Sequence, residues 1–162
     1  MVKMERLRDI FTDLGLGNVG TFIQSGNVFF DSEEDRAVLK VKIEARLTNE
    51  LGFMVPTILR TISELEQVMA LNPFEGVVVT DDIRLYLIFT SKQLPAGLEL
   101  PIVSAKNEFE IVAVSPGAVY VVLTLNNGRS GNPAAYIEKA YGVQATARFY
   151  ATTARILSAA SI

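Results

Sequence analysis

The 162-residue sequence contains no histidine and no cysteine. Without histidine, the chain has no imidazole for a Ser-His-Asp triad, for general base catalysis or for metal coordination. Without cysteine, it has no thiolate nucleophile, no disulfide and no thiolate ligand for zinc or an iron–sulfur cluster. Any catalysis would have to come from carboxylates, lysine, tyrosine, serine or threonine, or from a hard metal ion on oxygen ligands.

Long apolar runs and a strong excess of one charge are also missing. The runs Leu85–Phe89 and Val119–Leu125 are as long as strands and far shorter than the ~20 residues that span a bilayer. Charges at Lys3, Glu5 and Arg6 stand where a signal peptide needs an apolar stretch. We therefore expect a cytoplasmic protein with no membrane partner. The net charge of −3 argues against nucleic acid as a partner.

Two acidic clusters, Glu33–Asp35 and Asp81–Asp82, are the only groupings that suggest a metal. Magnesium needs carboxylates that converge from different elements, whereas adjacent residues on a strand point to opposite faces. A run of acids at a helix start favours the helix dipole. We therefore predict solvated surfaces here, with no metal site and no cofactor. Because no close acid–base pair is visible, we expect no strong catalysis either.

The hydrophobic periodicity predicts the element order α-β-β-α-β-α followed by β-(α)-β-β-α-β-α. The second half, residues 76–162, matches the βαββαβ plan of the ferredoxin-like fold plus a C-terminal helix. The first half, residues 1–75, matches the same plan without its opening strand. The predicted fold is therefore α+β, with two ferredoxin-like halves whose antiparallel sheets are covered by helices.

Local signals predict several element boundaries. Ser32 is expected to begin a helix, and Phe53–Leu59 to form a strand. Thr61–Glu64 has the pattern of a capping box, and Lys92–Leu98 is expected to hold a short helix. Asn132-Pro133 has the cap and first-turn proline that begin a helix.

A hairpin is predicted from Phe109–Val114 and Val119–Leu125. Its turn is Ser115–Ala118, where proline followed by glycine suits a type II turn.

The absent opening strand would leave a gap at the centre of the first sheet. Unpaired backbone at a sheet centre is costly. We expect either that the natural protein starts upstream of Met1, or that a partner strand or a shifted strand order fills the gap. The gap also suggests a protein–protein interaction module, which would use the open sheet edge for β-augmentation or homodimerisation.

The loop Asn126–Asn132 is the first candidate binding site. Glycines that lead into a helix N-terminus can present N–H groups to an anion, and the guanidinium of Arg129 could clamp a phosphate. Ser130 and the amides of Gly128 and Gly131 would then satisfy the phosphate oxygens. The Lys-Ser/Thr pattern of a P-loop is absent, and an ordinary polar connection would have the same composition. Arg148, Tyr150 and Thr152 could complete this anion site if both helix starts face the same side. Alternatively, Arg148 pairs with a surface acid.

The turn between the first two predicted strands is the second candidate. It consists of Gln24, Ser25, Gly26 and Asn27. Gly26 and Asn27 suit a positive φ, so backbone geometry alone can explain both residues. A turn does not need glutamine, however, so these side chains are also candidates for orienting a ligand.

These residues carry a resemblance to a known family. The string Gln24–Val28 in its strand-turn-strand context resembles the bacterial DUF1697 family, a family of unknown function whose known folds are two ferredoxin-like halves. The similarity extends over nearly the whole chain, through Leu7-Arg8, Leu14-Gly15, Asn18-Val19, Thr21–Ile23, Gly52-Phe53, Val55-Pro56, Arg60-Thr61, Glu64-Leu65, Asn72–Phe74, Gly128–Ser130 and Thr146–Arg148.

The chain departs from the family pattern at three places. The family's opening strand and its Arg-Gly-Ile-Asn-Val-Gly-Gly-like segment are absent, which suggests N-terminal shortening. Gly131 stands where the family usually has lysine, and Arg148–Thr152 lacks two asparagines and a tryptophan of the corresponding segment. The resemblance thus implies a divergent member. The function predicted from the sequence is binding of a phosphorylated or otherwise anionic small molecule.

Overall fold

The computed structural model describes residues 3–22 and 26–160. They form five α-helices and two antiparallel sheets, so the predicted α+β class is confirmed. The chain divides into two compact units, Met1–Arg60 with Ser158–Ile162 and Thr61–Leu157. Along the chain, the boundary between these units lies between Arg60 and Thr61. The sequence predicts a boundary between residues 75 and 76. Over the described residues, no helix has both the length and the apolar character that crossing a bilayer requires.

The first unit contains a β-hairpin and two helices. Asp35 is the N-cap of the second helix and accepts a hydrogen bond from the backbone N–H of Ala37. The predicted start at Ser32 was therefore wrong, because the Asp35 carboxylate caps the helix itself. In chain order, the elements are α1 (Met4–Asp13), β1 (Gly17–Phe22), β2 (Asn27–Asp31) and α2 (Arg36–Leu51).

The core of the first unit forms where the apolar stripes of α1 and α2 meet the hairpin. On α2, residues four positions apart point to one side, because the helix turns once every 3.6 residues. The rings of Phe11 on α1 and Phe30 on β2 lie 5.6 Å apart between centroids. The buried members of this core are Leu7, Ile10, Phe11, Leu16, Leu39, Ile43 and Leu47.

The predicted strand Phe53–Leu59 was wrong, since this segment has no ladder partner within the described residues. Instead, the backbone N–H of Thr57 donates to the carboxylate of Glu44 at 3.1 Å. Val55 and Leu59 still pack against the core of the first unit. A strand needs a neighbour to satisfy its backbone, and no strand of the described residues pairs with this segment.

The second unit contains one five-stranded sheet, two complete helices and the greater part of a third. The predicted capping box at Thr61 and Glu64 is confirmed, and so are the Asn132 cap and the first-turn Pro133. In chain order, the elements are α3 (Ile62–Leu71), β3 (Ile83–Thr90), β4 (Ile102–Val103), β5 (Phe109–Ser115), β6 (Ala118–Thr124), α4 (Pro133–Tyr141), β7 (Ala145–Phe149) and α5 (Tyr150–Ala160).

The strand order of this sheet is β4-β5-β6-β3-β7, with every neighbouring pair antiparallel. β3 lies between β6 and β7, so Leu87 is opposite both Tyr120 and Arg148. The predicted hairpin between β5 and β6 is confirmed, and Gly117 has the positive φ, 79°, that a type II turn requires.

The two faces of the five-stranded sheet are covered by different helices. On one face, Ile88 and Val121 pack with Ile137 of α4. On the other face, the hydroxyl of Tyr120 donates to the backbone carbonyl of Val68 on α3 at 2.6 Å. α3 is therefore tied to the sheet of the second unit.

The short helix predicted over Lys92–Leu98 was wrong, because this segment has no helical turn. Pro95 disfavours the helical conformation of Leu94 before it, and Gly97 adopts a φ of 80°. The side chain of Leu94 is buried in the core and anchors the segment. β4, which pairs with β5, was not predicted since its two residues are too short to produce a pattern.

Candidate functional site

A groove of about 760 Å³ opens in the second unit, between the start of β3 and the start of α5. We call it the β3–α5 groove. Because β3 pairs with β7 and α5 follows β7 directly, sheet pairing brings two distant parts of the sequence to one place. Its lining residues are Val79, Thr80, Asp81, Ile83, Arg84, Leu85, Phe149, Tyr150, Ala151 and Thr152.

Arg84 provides the positive charge of the groove. One of its terminal nitrogens, Nη1, donates to the backbone carbonyls of Asp81 at 2.7 Å and Ile83 at 2.9 Å. These two bonds hold the half-buried guanidinium in place. No carboxylate of the described residues forms an ion pair with Arg84. A guanidinium has five N–H donors, so Nε and Nη2 remain able to bind an anion.

The first residues of α5 form the opposite wall. Tyr150 follows the last residue of β7 directly, and Phe149 has no side-chain oxygen that could cap the helix. The first turn carries no acidic residue. The N–H groups at a helix start have a partial positive charge, so this wall adds to the potential of Arg84.

Three polar side chains complete the lining. Thr80 and Thr152 belong to the lining, and a threonine hydroxyl can donate to an anion or accept from a ligand. Asp81 places one carboxylate in the same lining and is exposed to solvent. The groove therefore carries both charges, with the cation half-buried and the acid on the exposed side.

The predicted loop around Arg129 is closed by hydrogen bonds between its own backbone groups. The backbone N–H of Arg129 donates to the carbonyl of Asn126 at 2.9 Å, and the reverse bond measures 2.8 Å. Asn127 and Gly128 both have positive φ, so the loop is a type I′ turn. Arg129 and Ser130 are exposed, and neither lines the β3–α5 groove.

Gly131, the last glycine of the predicted loop, lies against Glu108. A Cβ atom built on Gly131 would lie 2.9 Å from Cβ of Glu108 and 3.3 Å from the ring of Phe109. The site therefore has no room for a side chain without a shift of Glu108. The carboxylate of Glu108 also places a negative charge beside the predicted anion loop.

Arg148 lies within β7, and its Nη1 donates to Oγ1 of Thr146 and to the carbonyl of Ala147. Burial lowers the pKa of its guanidinium. Arg148 is opposite Leu87, whereas the end of β6 before the Arg129 loop is opposite Ile83. Four residues along a strand are roughly 13 Å, so the structure does not bring the two arginines together.

The predicted turn lies in the first unit, with Gln24 and Ser25 outside the described residues. Gly26 has a φ of 77°, as its turn position was expected to need. The side-chain nitrogen of Asn27 donates to the carbonyl of Phe22 at 3.2 Å, which closes the hairpin.

The sequence did not single out Arg84. Tyr150 and Thr152 were candidates beside Arg148, and the structure places both in the lining of the β3–α5 groove. An arginine at the start of an otherwise apolar strand was the available signal for Arg84. That signal does not predict which helix lies beside Arg84 in the fold. The partner became visible only once β3 and β7 were paired.

A second groove of about 490 Å³, in the first unit, is acidic. Its lining consists of Gly15, Leu16, Asp31, Ser32, Glu33 and Glu34. Its charge opposes an anionic ligand. Over residues 3–22 and 26–160, no three carboxylates converge in a way that could hold a metal ion.

Comparison with known proteins places these features in context. A family model described as "Protein of unknown function (DUF1697)" matches residues 1–120. No curated protein matches the chain. The solved structure of the conserved bacterial protein SP0830 from Streptococcus pneumoniae is similar, with a TM-score of 0.66 and 21% identity. The alignment covers 100% of this chain and 91% of SP0830, and at this identity it shows the fold alone.

Proposed function

We propose that this chain, which belongs to the DUF1697 family of proteins of unknown function, binds a phosphorylated or otherwise anionic small molecule in the β3–α5 groove. Membership of this family assigns no activity. One observation carries the proposal: the half-buried guanidinium of Arg84 is anchored through Nη1 alone and has no carboxylate partner within the described residues. The start of α5 at Tyr150 supports it electrostatically.

Groove size and composition also support a binding role. Small-molecule sites measure roughly 300–1,000 Å³ and combine apolar walls with a few polar groups. The groove falls in this range at about 760 Å³. It presents no His or Cys and no close acid–base pair, so binding rather than catalysis is the role we propose.

A thermal-shift titration tests the proposal. The chain is melted with inorganic phosphate, sulfate, sugar phosphates and nucleotides over a range of concentrations. A ligand at ~100 times its Kd adds about 2.7 kcal/mol, which raises the Tm of a domain this size by roughly 5–10 °C. We expect Arg84→Gln to abolish the shift and the matched Arg129→Gln to retain it.

The other outcomes are equally informative. Loss of the shift in Arg129→Gln alone would return the site to the predicted loop at Gly128–Ser130. A flat response of the wild-type chain across the panel, with a cooperative melt, would contradict anion binding altogether. The unliganded Tm of Arg84→Gln controls for the two backbone bonds that this side chain makes.

The alternative function, interaction through an open sheet edge, is favoured by β2. Among the strands of the described residues, the sheet neighbour of β2 is β1, on one side alone. β1 has a register irregularity between Gly17 and Gly20, whereas β2 has no charge before Asp31 and no proline. Bulges, prolines and charges protect edge strands, so β2 is the less protected edge.

A second copy of the chain is the partner that we propose for this edge. An antiparallel pair centred on Phe29 would place Asp31 opposite Asn27 of the other copy, without like charges facing each other. Analytical ultracentrifugation over a concentration series should detect a dimer. Phe29→Lys should abolish it, while the exposed Val41→Lys on α2 should not; a monomer at every concentration would contradict this alternative.

We extend the proposal to the ferredoxin-like fold of the two units and to the cellular location of the protein. We infer that the second unit is a ferredoxin-like half, since the order β5-β6-β3-β7 is the order of that plan with β4 added at the edge. The first unit, with one hairpin and two helices, fits an incomplete half. We also propose a bacterial, cytoplasmic protein, supported by the bacterial neighbour and the lack of cysteine.

A further inference from the structure

The β3–α5 groove is more apolar than the binding of a bare inorganic anion requires. Five of its lining residues are apolar: Val79, Ile83, Leu85, Phe149 and Ala151. Val79 is 59% exposed and Phe149 is 46% exposed. Exposed apolar side chains that cluster in a concave site beside a cation are typical of a ligand-binding surface.

Phe149 is held in a fixed position within this lining. Its ring stacks on the ring of Tyr86, its partner across β3 and β7, with centroids 4.7 Å apart and an interplanar angle of 26°. One side of the Phe149 ring is thereby covered by protein while nearly half of the side chain stays exposed. A ring in this arrangement provides a preformed stacking surface for a flat apolar group.

We propose that the ligand of the groove is an organic anion that carries a flat apolar group, and not a bare phosphate or a purely polar sugar phosphate. Arg84 binds the anionic group, and Phe149 and Val79 contact the apolar group. This inference rests on the proposed function, because it assigns the ligand class of the same groove. The apolar wall would otherwise stay in contact with water, at a cost in free energy.

The test compares three ligands that share one anionic group. Binding of inorganic phosphate, glycerol phosphate and phenyl phosphate to the wild-type chain is measured by isothermal titration calorimetry. We expect phenyl phosphate to bind about ten-fold more tightly than the other two, as one aromatic contact gives. Arg84→Gln should weaken the binding of all three ligands.

Variants of the apolar wall give the decisive result. Phe149→Ala and Val79→Asn should each reduce the preference for phenyl phosphate over inorganic phosphate. Leu71→Ala, an exposed apolar residue of α3 outside the groove lining, is the matched control and should retain the preference. Val79→Asn keeps the test valid if Phe149→Ala disturbs the Tyr86 stack.

Failure of the inference is distinguishable from failure of the proposed function. Equal, Arg84-dependent affinities for all three ligands would overturn the amphipathic ligand and leave anion binding intact. A preference for phenyl phosphate that survives both wall variants would also overturn it. No binding of any of the three would overturn both.

Discussion

The ring of Phe29 lies over Gly20, its partner across the hairpin of β1 and β2. A Cβ atom built on Gly20 would lie 2.6 Å from Cζ of this ring and still closer to Cε2. The missing side chain of Gly20 therefore gives the aromatic ring a place to lie flat against the neighbouring strand. This contact shields apolar surface in a sheet of only two strands, a size that is marginal on its own.

Gly20→Ala is therefore expected to destabilise the chain. The methyl group would force the ring of Phe29 off the strand, and overpacking of this kind costs about 1–2 kcal/mol. Urea unfolding followed by circular dichroism measures the change. Gly17→Ala in the same strand is the matched control, since its Cβ would meet Asp31 at an ordinary 3.7 Å. Equal stabilities of the two variants would show that the ring does not depend on Gly20.

The features that were predictable from the sequence are those whose cause lies within a few residues. The box of Thr61 and Glu64, the cap at Asn132 and the turn at Gly117 each depend on a side chain or φ angle close by in the chain. The α+β class followed from periodicities of the same short range. Such signals do not depend on which distant segment packs against them.

The features that the sequence did not predict correctly depend on partners that are distant in the sequence. Phe53–Leu59 has the composition of a strand, but a ladder also needs a neighbour, and the first unit offers none to it. The β3–α5 groove joins Arg84 to Tyr150, which are far apart in sequence and meet through the pairing of β3 with β7. A single sequence states the residue types on both sides of such a contact without stating the contact.

Removal of the capping box should destabilise the second unit. The hydroxyl of Thr61 accepts from the N–H of Glu64 at 3.1 Å, and the Glu64 carboxylate accepts from the N–H of Thr61 at 2.8 Å. Thr61→Ala removes the first bond, and loss of such a cap costs about 1 kcal/mol. Urea unfolding should show this loss, whereas Ser63→Ala, an exposed position in the same turn, should change the stability by less than half as much. A Thr61→Ala variant as stable as the wild type would contradict a role for the cap.

Tyr120 should contribute through its hydroxyl as well as its ring. Its side chain is fully buried, and the hydroxyl donates to the carbonyl of Val68 at 2.6 Å. Tyr120→Phe keeps the ring and removes the bond, which should cost about 1 kcal/mol in the free energy of unfolding. Tyr86→Phe is the control, because the contact that Tyr86 makes with Phe149 is between rings. Indistinguishable losses in the two variants would mean that the bond to α3 adds no stability.

The same tyrosine predicts how stability changes at high pH. Burial is the main cause that raises the pKa of Tyr120 above its ordinary value of about 10. The folded chain therefore holds the phenolic proton more tightly than the unfolded chain. This contribution is fully present below pH ~10 and is lost as the pH rises through the raised pKa.

We therefore expect the penalty of Tyr120→Phe to shrink as the pH increases. The free energy of unfolding of both proteins, measured in urea at steps between about pH 8 and pH 11.5, should converge above pH ~10 as the wild type loses stability faster. Burial also raises the pKa of Tyr141, but this tyrosine is present in both proteins, so its effect cancels in the difference. Parallel stability curves over the whole range would show that Tyr120 titrates alike in the folded and unfolded chains, and that its burial does not disfavour the phenolate.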